Sequence, residues 1–212
     1  MKKLGVFIII LSVVFMSCNR KTTLKGRVMN PITGEGIAGA TISASKMTME
    51  LPGGYKTVEQ TTSDANGDFV LEFKKSASNI GVSTGDYYNI GWYQNGEIQP
   101  GYYLPVQKGK NMKADFYAVP YGSSKANIVN INCQGVTDTA YFKLKYILSP
   151  SLYDYWSLPK TGCYSHSDAT SSKRPIGEYI WITKVIRSGN TSYQYDTVSI
   201  SESGVSIFNI NY

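Results

Sequence analysis

Three cysteines and one histidine carry the most versatile chemistry in this 212-residue sequence. Because His166 is the single histidine, neither a catalytic zinc site nor a two-histidine iron site can be completed, and no Cys-x-x-Cys pair is present. His166 and Asp168 could still form a Ser-His-Asp triad with a serine. We predict no catalytic residue, no metal and no cofactor, and keep an unrecognised hydrolase as the weakest alternative.

Cys133 and Cys163 are predicted to form a disulfide. The N-terminal sequence described below is typical of export, and exported proteins enter an oxidising compartment in which thiols tend to pair. A bridge that closes a loop of about 30 residues stabilises a chain by roughly 3 to 4 kcal/mol on the chain-entropy model. Two free buried thiols are the alternative.

A second set of candidate residues is aromatic and lies in the polar segment from Ser149 to Pro159. Tyr153, Asp154, Tyr155 and Trp156 stand together there without a sustained strand-like apolar face. Loops carry binding residues more often than the scaffold does, and Tyr and Trp anchor many binding surfaces. These four residues are candidates for a ligand site, for a glycan or a protein. The sequence favours the other interpretation, in which Trp156 caps the second hydrophobic core.

Trp92 and Tyr93 belong to another aromatic cluster, beside Asn95-Gly96. Asn-Gly between two apolar segments is the strongest short signal for a β-hairpin. Trp92 and Tyr93 are further candidates for ligand binding. Successive side chains of a strand point to opposite faces, so one ring of each neighbouring pair is expected in the core.

The N-terminus reads as an export signal. Two lysines precede an apolar run from Leu4 to Met16, which is too short for the roughly 20 residues that span a bilayer. Phe15-Met16-Ser17-Cys18 resembles the lipobox of bacterial lipoproteins. This resemblance implies cleavage after residue 17, lipidation of Cys18, a tether over residues 18–23 and anchoring in the bacterial envelope, with the outer membrane favoured. An ordinary secretory signal with a chance cysteine is the alternative.

The first half of the chain after this signal has the pattern of short strands joined by tight turns. It contains Leu24 to Val28, then Gly34 to Ala44, then Thr61 to Phe73, where apolar and polar residues alternate between Gly, Asn and Asp. These segments resemble the carboxypeptidase regulatory-like, transthyretin-like domains, with their "G-x-V", "G-x-G-I-x-G-A-x-I" and "T-x-x-x-G-x-F-x-L" motifs. The resemblance implies a non-catalytic β-sandwich over residues 24–120.

Asp64, Asn66 and Asp68 alternate in a way that could suggest a calcium loop. Counted from Asp64, however, Gly67 is at the fourth place instead of the sixth, and strands rather than helices are predicted on both sides. We therefore predict an Asx-type turn without metal, in which Asp64 accepts backbone N–H bonds and Gly67 takes a positive φ.

The second half is predicted to be another β-sandwich, over residues 125–212. Glu178 to Arg187 and Thr191 to Ser199 alternate around Ser188-Gly189-Asn190, as a hairpin does. The segment from Pro175 to Tyr179 resembles the "P-x-G-x-Y" strand entry of immunoglobulin-like domains. Val119 to Ser124 is rich in turn residues and is predicted to link the halves. No helix-length apolar stripe follows the signal, so the fold class is all-β.

Charge limits the partners that the chain can have. The formal net charge is +6, but basic residues cluster only in isolated pairs such as Lys74-Lys75, so no nucleic-acid partner is predicted. Two functions remain besides the unrecognised hydrolase. One is a membrane-anchored binding or accessory lipoprotein with a protein or glycan partner. The other is a structural subunit, fimbrial or surface-layer-like, that shares an edge strand between chains.

Overall fold

A computed structural model describes residues 20–50, 53–99, 102–149 and 151–212. These residues form 18 β-strands and no helix, which confirms the predicted all-β class. No membrane-spanning helix is therefore found in these ranges. The predicted signal at residues 1–17 and the lipidation site Cys18 lie outside them and remain predictions.

The contacts divide the chain into two compact units. The first ends at Ala118 and lacks residues 86–88, and the second comprises Asp86–Tyr88 and Val119–Tyr212. The strands up to Val119 are β1 (Thr22–Met29), β2 (Thr41–Thr48), β3 (Gly54–Thr62), β4 (Asp68–Phe73), β5 (Asn79–Ser83), β6 (Tyr88–Gln94), β7 (Glu97–Ile98), β8 (Leu104–Pro105), β9 (Asn111–Lys113) and β10 (Asp115–Val119).

The first unit is a sandwich of two sheets. One sheet has the order β4-β1-β10-β6-β7, with β9 also paired to β1, and the other has the order β3-β2-β5-β8. Alternate residues of each sheet point inward, and Leu24, Ile42, Leu71, Ile80 and Phe116 are among those that form its core. This burial of apolar side chains from two facing sheets provides most of the favourable free energy of folding.

The turn between β3 and β4 has the predicted Asx geometry. Asp64 Oδ1 accepts N–H bonds from Asn66 at 2.8 Å and from Asp68 at 2.9 Å. Gly67 has φ +82°, and a Cβ there would collide with the carbonyl oxygen of Val28 and crowd Gly36. The glycines of the resemblance motifs thus allow two backbone segments to cross at close range.

Both predicted hairpins are present. Asn95 and Gly96 have φ 55° and 89° and join β6 to β7, as a type I′ turn requires. In the second unit, Ser188 and Gly189, with φ 48° and 81°, close the other hairpin between Arg187 and Asn190. That turn is one residue shorter than predicted, because Asn190 already pairs across the hairpin.

The second unit is also a sandwich. Its strands are β11 (Tyr121–Val129), β12 (Thr139–Tyr146), β13 (Lys160–Thr161), β14 (Ser165–Ser167), β15 (Ser172–Pro175), β16 (Gly177–Arg187), β17 (Asn190–Ile200) and β18 (Val205–Asn211). One sheet has the order β14-β11-β15, with β18 also paired to β11, and the other has the order β13-β12-β16-β17. Rings from both sheets meet between them: Phe142 lies 5.5 Å from Tyr212, and Trp181 lies 6.3 Å from Phe208, measured between ring centroids.

Two boundary expectations differ from the structure. The predicted linker is almost entirely strand, because β10 reaches Val119 and β11 begins at Tyr121. Its small residues serve packing: a Cβ on Gly122 would collide with the backbone of Ser201. At the other end, Thr22, which was expected in the tether, is buried and begins β1 opposite Phe73.

Candidate functional site

The candidate site starts from the aromatic loop, which we define as residues 151–159. This loop follows β12 and folds back along the edge of the same strand. Ser157 holds it there, because its Oγ accepts the N–H of Phe142 at 3.0 Å and its own N–H donates to the Phe142 carbonyl at 2.8 Å. Tyr153 has φ +61°, a value that is uncommon outside glycine and turns the chain sharply. The loop is thus attached to the sheet at Ser157, directly after its aromatic residues.

The rings of the aromatic loop differ in exposure. Tyr155 is 69% exposed and Trp156 is 40% exposed, so neither ring belongs to the core. Tyr153 is half-buried, with its ring centroid 6.4 Å from that of Tyr179. Arg174 stacks on Tyr153, with the guanidinium carbon 4.8 Å from the ring centroid. Tyr153 therefore anchors the loop, while Tyr155 and Trp156 remain available at the surface.

An ion pair fixes the rest of the loop. The ammonium group of Lys143, on β12, pairs with the Asp154 carboxylate and lies 5.5 Å from the centroid of the Trp156 ring. The hydrogen bond from Lys143 keeps the pKa of Asp154 below its ordinary value. Asp154 is therefore ionised at neutral pH and retains acceptor capacity for a hydroxyl donor, while Lys143 limits the orientations of the indole ring.

Two small cavities share the side chains of Arg174 and Trp181, and the first of them borders the aromatic loop. The first has a volume of about 150 Å³ and the second about 170 Å³. Residues that line the first are Lys143, Tyr153, Tyr155, Ser157, Arg174 and Trp181. Residues that line the second include Ser124, Lys125, His166, Asp168, Arg174 and Trp181. We call these two cavities the Arg174 cleft.

Trp92 is not a binding residue in this structure, which corrects the prediction made for it. Its side chain is 0% exposed, and its ring lies 5.2 Å from Phe116 and 6.3 Å from Phe69. A ligand could reach the indole only if the first core opened. Tyr93 points to the opposite face of β6, is half-buried and stacks on Tyr117 at 4.9 Å. Its candidate role stays a prediction.

The predicted disulfide between Cys133 and Cys163 is present, with the two Cα atoms 5.2 Å apart. Beside it lies the buried carboxylate of Asp138, whose Oδ2 accepts bonds from the Gln134 backbone N–H at 3.0 Å and from Arg187 Nε at 3.2 Å. These hydrogen bonds keep the pKa of Asp138 below its ordinary value, and the bond from the Gln134 backbone N–H has the largest effect. The disulfide and this network together restrain the segment from Cys133 to Asp138, which they link to Cys163 and to Arg187.

His166 lies on β14 at the second cavity, where its Nε2 is 2.9 Å from Asp168 Oδ1. Among the described residues no serine hydroxyl forms a hydrogen bond with this imidazole. The spacing Gly-x-Ser-x-Gly occurs once, from Gly81 to Gly85, where Ser83 ends strand β5. A nucleophile elbow of that motif needs a strand-to-helix turn, which β5 does not provide.

Sequence reasoning missed the Arg174 cleft. In the sequence Lys173-Arg174 is one more isolated basic pair, and Arg174 meets the loop only through contacts between residues distant in the chain. The signal available was its position, one residue before the Pro175 that begins the predicted strand entry. A charged residue at such an entry is fixed by the backbone of the strand, and β15 pairs Arg174 with Gly122 of β11.

A scan against protein-family models and a search of curated proteins give no match. Among solved structures, the chain is similar to the Bacillus anthracis TIE protein, at 14% identity and TM-score 0.32 over 92% of this chain and 34% of that one. It thus spans about a third of that protein. A DUF3823 family protein from Bacteroides uniformis ATCC 8492 is 10% identical, with TM-score 0.31, over 87% of this chain and 100% of that one.

The Streptococcal ancillary pilin is 12% identical, with TM-score 0.31, over 91% of this chain and 62% of that one. All of these identities are below 25% and all of these TM-scores are below 0.5. The proposals that follow rest on the residues of this chain.

Proposed function

We propose that this protein is a non-catalytic lipoprotein of the bacterial cell envelope that binds a glycan or protein partner through its aromatic loop. The observation that carries the proposal is the pair of exposed rings, Tyr155 and Trp156, on a loop that Ser157 and the Lys143–Asp154 ion pair attach to the sheet. Rings that are exposed and already restrained lose little conformational entropy on binding, which favours affinity. The export signal and Cys18 support the envelope location.

Both kinds of partner suit this arrangement of groups. A sugar ring could stack on Trp156 while Asp154 accepts bonds from its hydroxyls. A protein partner would use the same rings as hot spots, because Tyr and Trp are enriched at the centres of interfaces. Within the described chain the loop also borders the Arg174 cleft, so the surface offers aromatic, acidic and basic groups within one region of the second unit.

Binding measurements with two matched variants test the proposal. We expect the double variant Tyr155→Ala, Trp156→Ala to lose most of the binding that the wild-type protein shows on a glycan array. Tyr193→Ala, Tyr195→Ala is the matched control, because those rings are also exposed but lie on β17. For a protein partner, a photo-crosslinking residue at position 156 should capture one envelope protein that position 195 does not. Equal binding or crosslinking at both places would rule out the loop as the site.

Lipidation is tested separately, by mass spectrometry of the protein from the membrane fraction. We expect Cys18 to be the mature N-terminus and to carry a lipid. An intact Met1, or an unmodified Cys18, would contradict the proposed anchoring.

A structural subunit is the second candidate, and strand β17 favours it. β17 is 11 residues long, pairs with β16 and is the last strand of its sheet. Both backbone groups of Phe142, on β12, point away from β16, because they bond to Ser157. In antiparallel strands the direction of the N–H and C=O groups alternates from residue to residue. Followed across β16, this alternation directs the N–H and C=O of Tyr195 and Thr197, on β17, away from the sheet. An open edge of this length can accept a strand from another chain.

Sedimentation velocity at increasing protein concentration tests that candidate. If β17 joins chains, the wild type should polymerise, and Thr197→Pro should stay monomeric because proline removes one outward-facing donor. A wild type that stays monomeric throughout would exclude assembly through this edge.

A further inference from the structure

We infer that the Arg174 cleft binds the carboxylate of an acidic glycan, one whose sugar units carry both a carboxylate and hydroxyl groups. This inference rests on the proposed binding function and names the class of ligand. It adds Arg174 as the residue that selects the acidic group, next to the two exposed rings of the aromatic loop.

Arg174 is a cation without an anionic partner. Among the described residues no carboxylate lies within ion-pair distance of its guanidinium, and no acceptor takes a hydrogen bond from it. Its guanidinium stacks on Tyr153 and interacts electrostatically with the Tyr179 side chain, and neither ring is an anionic partner. Strand β15 holds its backbone against β11, and the buried Pro175 follows it. A guanidinium that is half-buried, stacked and fixed in this way presents a rigid fork of N–H donors, which matches a carboxylate in two parallel hydrogen bonds.

A second unsatisfied donor belongs to a residue that lines the same cleft. Trp181 borders both cavities and is 9% exposed, and its indole N–H has no acceptor among the described residues. Buried polar groups are normally satisfied. The indole of Trp92 is unpaired as well, in the first core, and Trp181 differs from it in lining a cavity beside an arginine that has no anionic partner.

Acceptors and rings around the cleft favour a sugar acid over an acidic peptide. Asp168, which lines the second cavity, accepts the Ala126 N–H through Oδ2 and contacts His166 through Oδ1, and its remaining lone pairs can accept a hydroxyl. A second carboxylate or phosphate placed next to Asp168 would be repelled by it, whereas one acidic group at Arg174 with hydroxyls at Asp168 satisfies both residues. Cavities of about 150 and 170 Å³ are below the roughly 300 Å³ of a drug-sized site, so each suits about one ring. Tyr155 borders the first cavity as a stacking surface.

The test is isothermal titration of the purified protein with trigalacturonate and with the methyl ester of the same trisaccharide. The ester removes the charge of the ligand and leaves the protein unchanged, so this comparison does not depend on the folding of any variant. We expect the acid to bind at least about tenfold more tightly than the ester, as loss of a charged hydrogen-bonded pair implies.

Three variants locate the charge that recognises the acid. Arg174→Gln should lose most of the preference for the acid, because the other cations that line the cleft are engaged, Lys143 with Asp154 and Lys125 with the Ala169 carbonyl. Arg174→Lys should keep only part of the preference, because a lysine lacks the planar fork. Lys184→Gln is the matched control. Lys184 stacks on Tyr141 and does not line the cleft. Because solvent and salt screen exposed charges outside a binding site, its loss should change the affinity for the acid by less than about twofold. Melting curves of each variant identify any loss of folding.

Several outcomes overturn the inference: no binding of the acid, equal binding of acid and ester by the wild type, or full preference retained in Arg174→Gln. Tighter binding of triglutamate than of trigalacturonate would do the same, because it would indicate a peptide ligand. If ligands bind in a way that needs Tyr155 and Trp156 but not Arg174, the proposed function stands and only the inference fails. If the acid needs Arg174 but neither ring, the cleft stands and the proposed role of the loop fails.

Discussion

Trp92 and Trp156 each stand beside tyrosines in the sequence, but the structure puts the two indoles in opposite environments. Trp92 is 0% exposed inside the first core, whereas Trp156 is 40% exposed on the aromatic loop. The difference follows from local geometry. In β6 the side chains alternate, so Trp92 points inward and Tyr93 outward. Trp156 has no such alternation, and its loop is bonded to the edge of β12 through Ser157.

This comparison separates two uses of large rings. A ring in the core stabilises by removing apolar surface from water, and its loss leaves a cavity. A ring on an attached loop contributes little to folding and remains available to a partner. The predictions below test whether the two tryptophans divide in this way, starting with the largest expected effect.

Trp92→Ala should cost about 3 to 5 kcal/mol of the free energy of unfolding of the first unit, as large core truncations do. Its ring contacts Phe69 and Phe116, so the cavity would lie at the centre of that core. The control is Tyr93→Ala, on the other face of the same strand. Scanning calorimetry of Trp92→Ala and Tyr93→Ala would measure the two losses of stability. Equal losses from the two variants would mean that alternation does not separate core from surface here.

Removing the disulfide should affect the second unit alone. We expect Cys133→Ser with Cys163→Ser to cost about 3 to 4 kcal/mol there, because the bridge closes a loop with a sequence separation of 30. Calorimetry should show the transition of the second unit at lower temperature and that of the first unchanged. A shift of both transitions would show that the two units unfold together.

The sequence predicted the features that depend on neighbouring residues. Alternation and turn chemistry are local, and they gave the all-β class, both hairpins and the Asp64 turn. The disulfide followed from composition and compartment. Features set by distant contacts were missed. Gly122 and Ser124, which are typical of turns, lie in strand β11, where Gly122 packs closely against Ser201 and Ser124 is buried. The Arg174 cleft likewise collects residues from strands that are far apart in the chain.

Acid should weaken the second unit through Asp138. Its pKa is lowered in the folded protein, mainly by the Gln134 N–H, so its contribution to stability is present above the unfolded pKa of about 4 and is lost as the pH falls below it. We expect the melting temperature of the wild-type second unit to fall more between pH 6 and pH 3 than that of Asp138→Asn. Asp86→Asn, at an exposed position, changes the charge equally and should behave as the wild type. An identical fall in all three proteins would show that Asp138 contributes nothing to acid sensitivity.

Trp156→Ala should have the smallest effect on stability, about 1 kcal/mol or less. Its ring is 40% exposed, and its described contact is the Lys143 ammonium at 5.5 Å from the ring centroid, an exposed cation–π interaction of about 0.5 to 1 kcal/mol. Calorimetry of the second unit measures this change, and Trp181→Ala provides the contrast, because Trp181 packs on Phe208 in the core of the same unit. Trp181→Ala should cost about 3 to 5 kcal/mol, as Trp92→Ala does in the first unit. If Trp156→Ala lowered the melting temperature as far as Trp181→Ala, the Trp156 ring would be part of the second core. The exposed ring that supports binding at the aromatic loop would then be missing. If the melting temperature holds while binding falls, the contrast with Trp92 is one of function as well as of position.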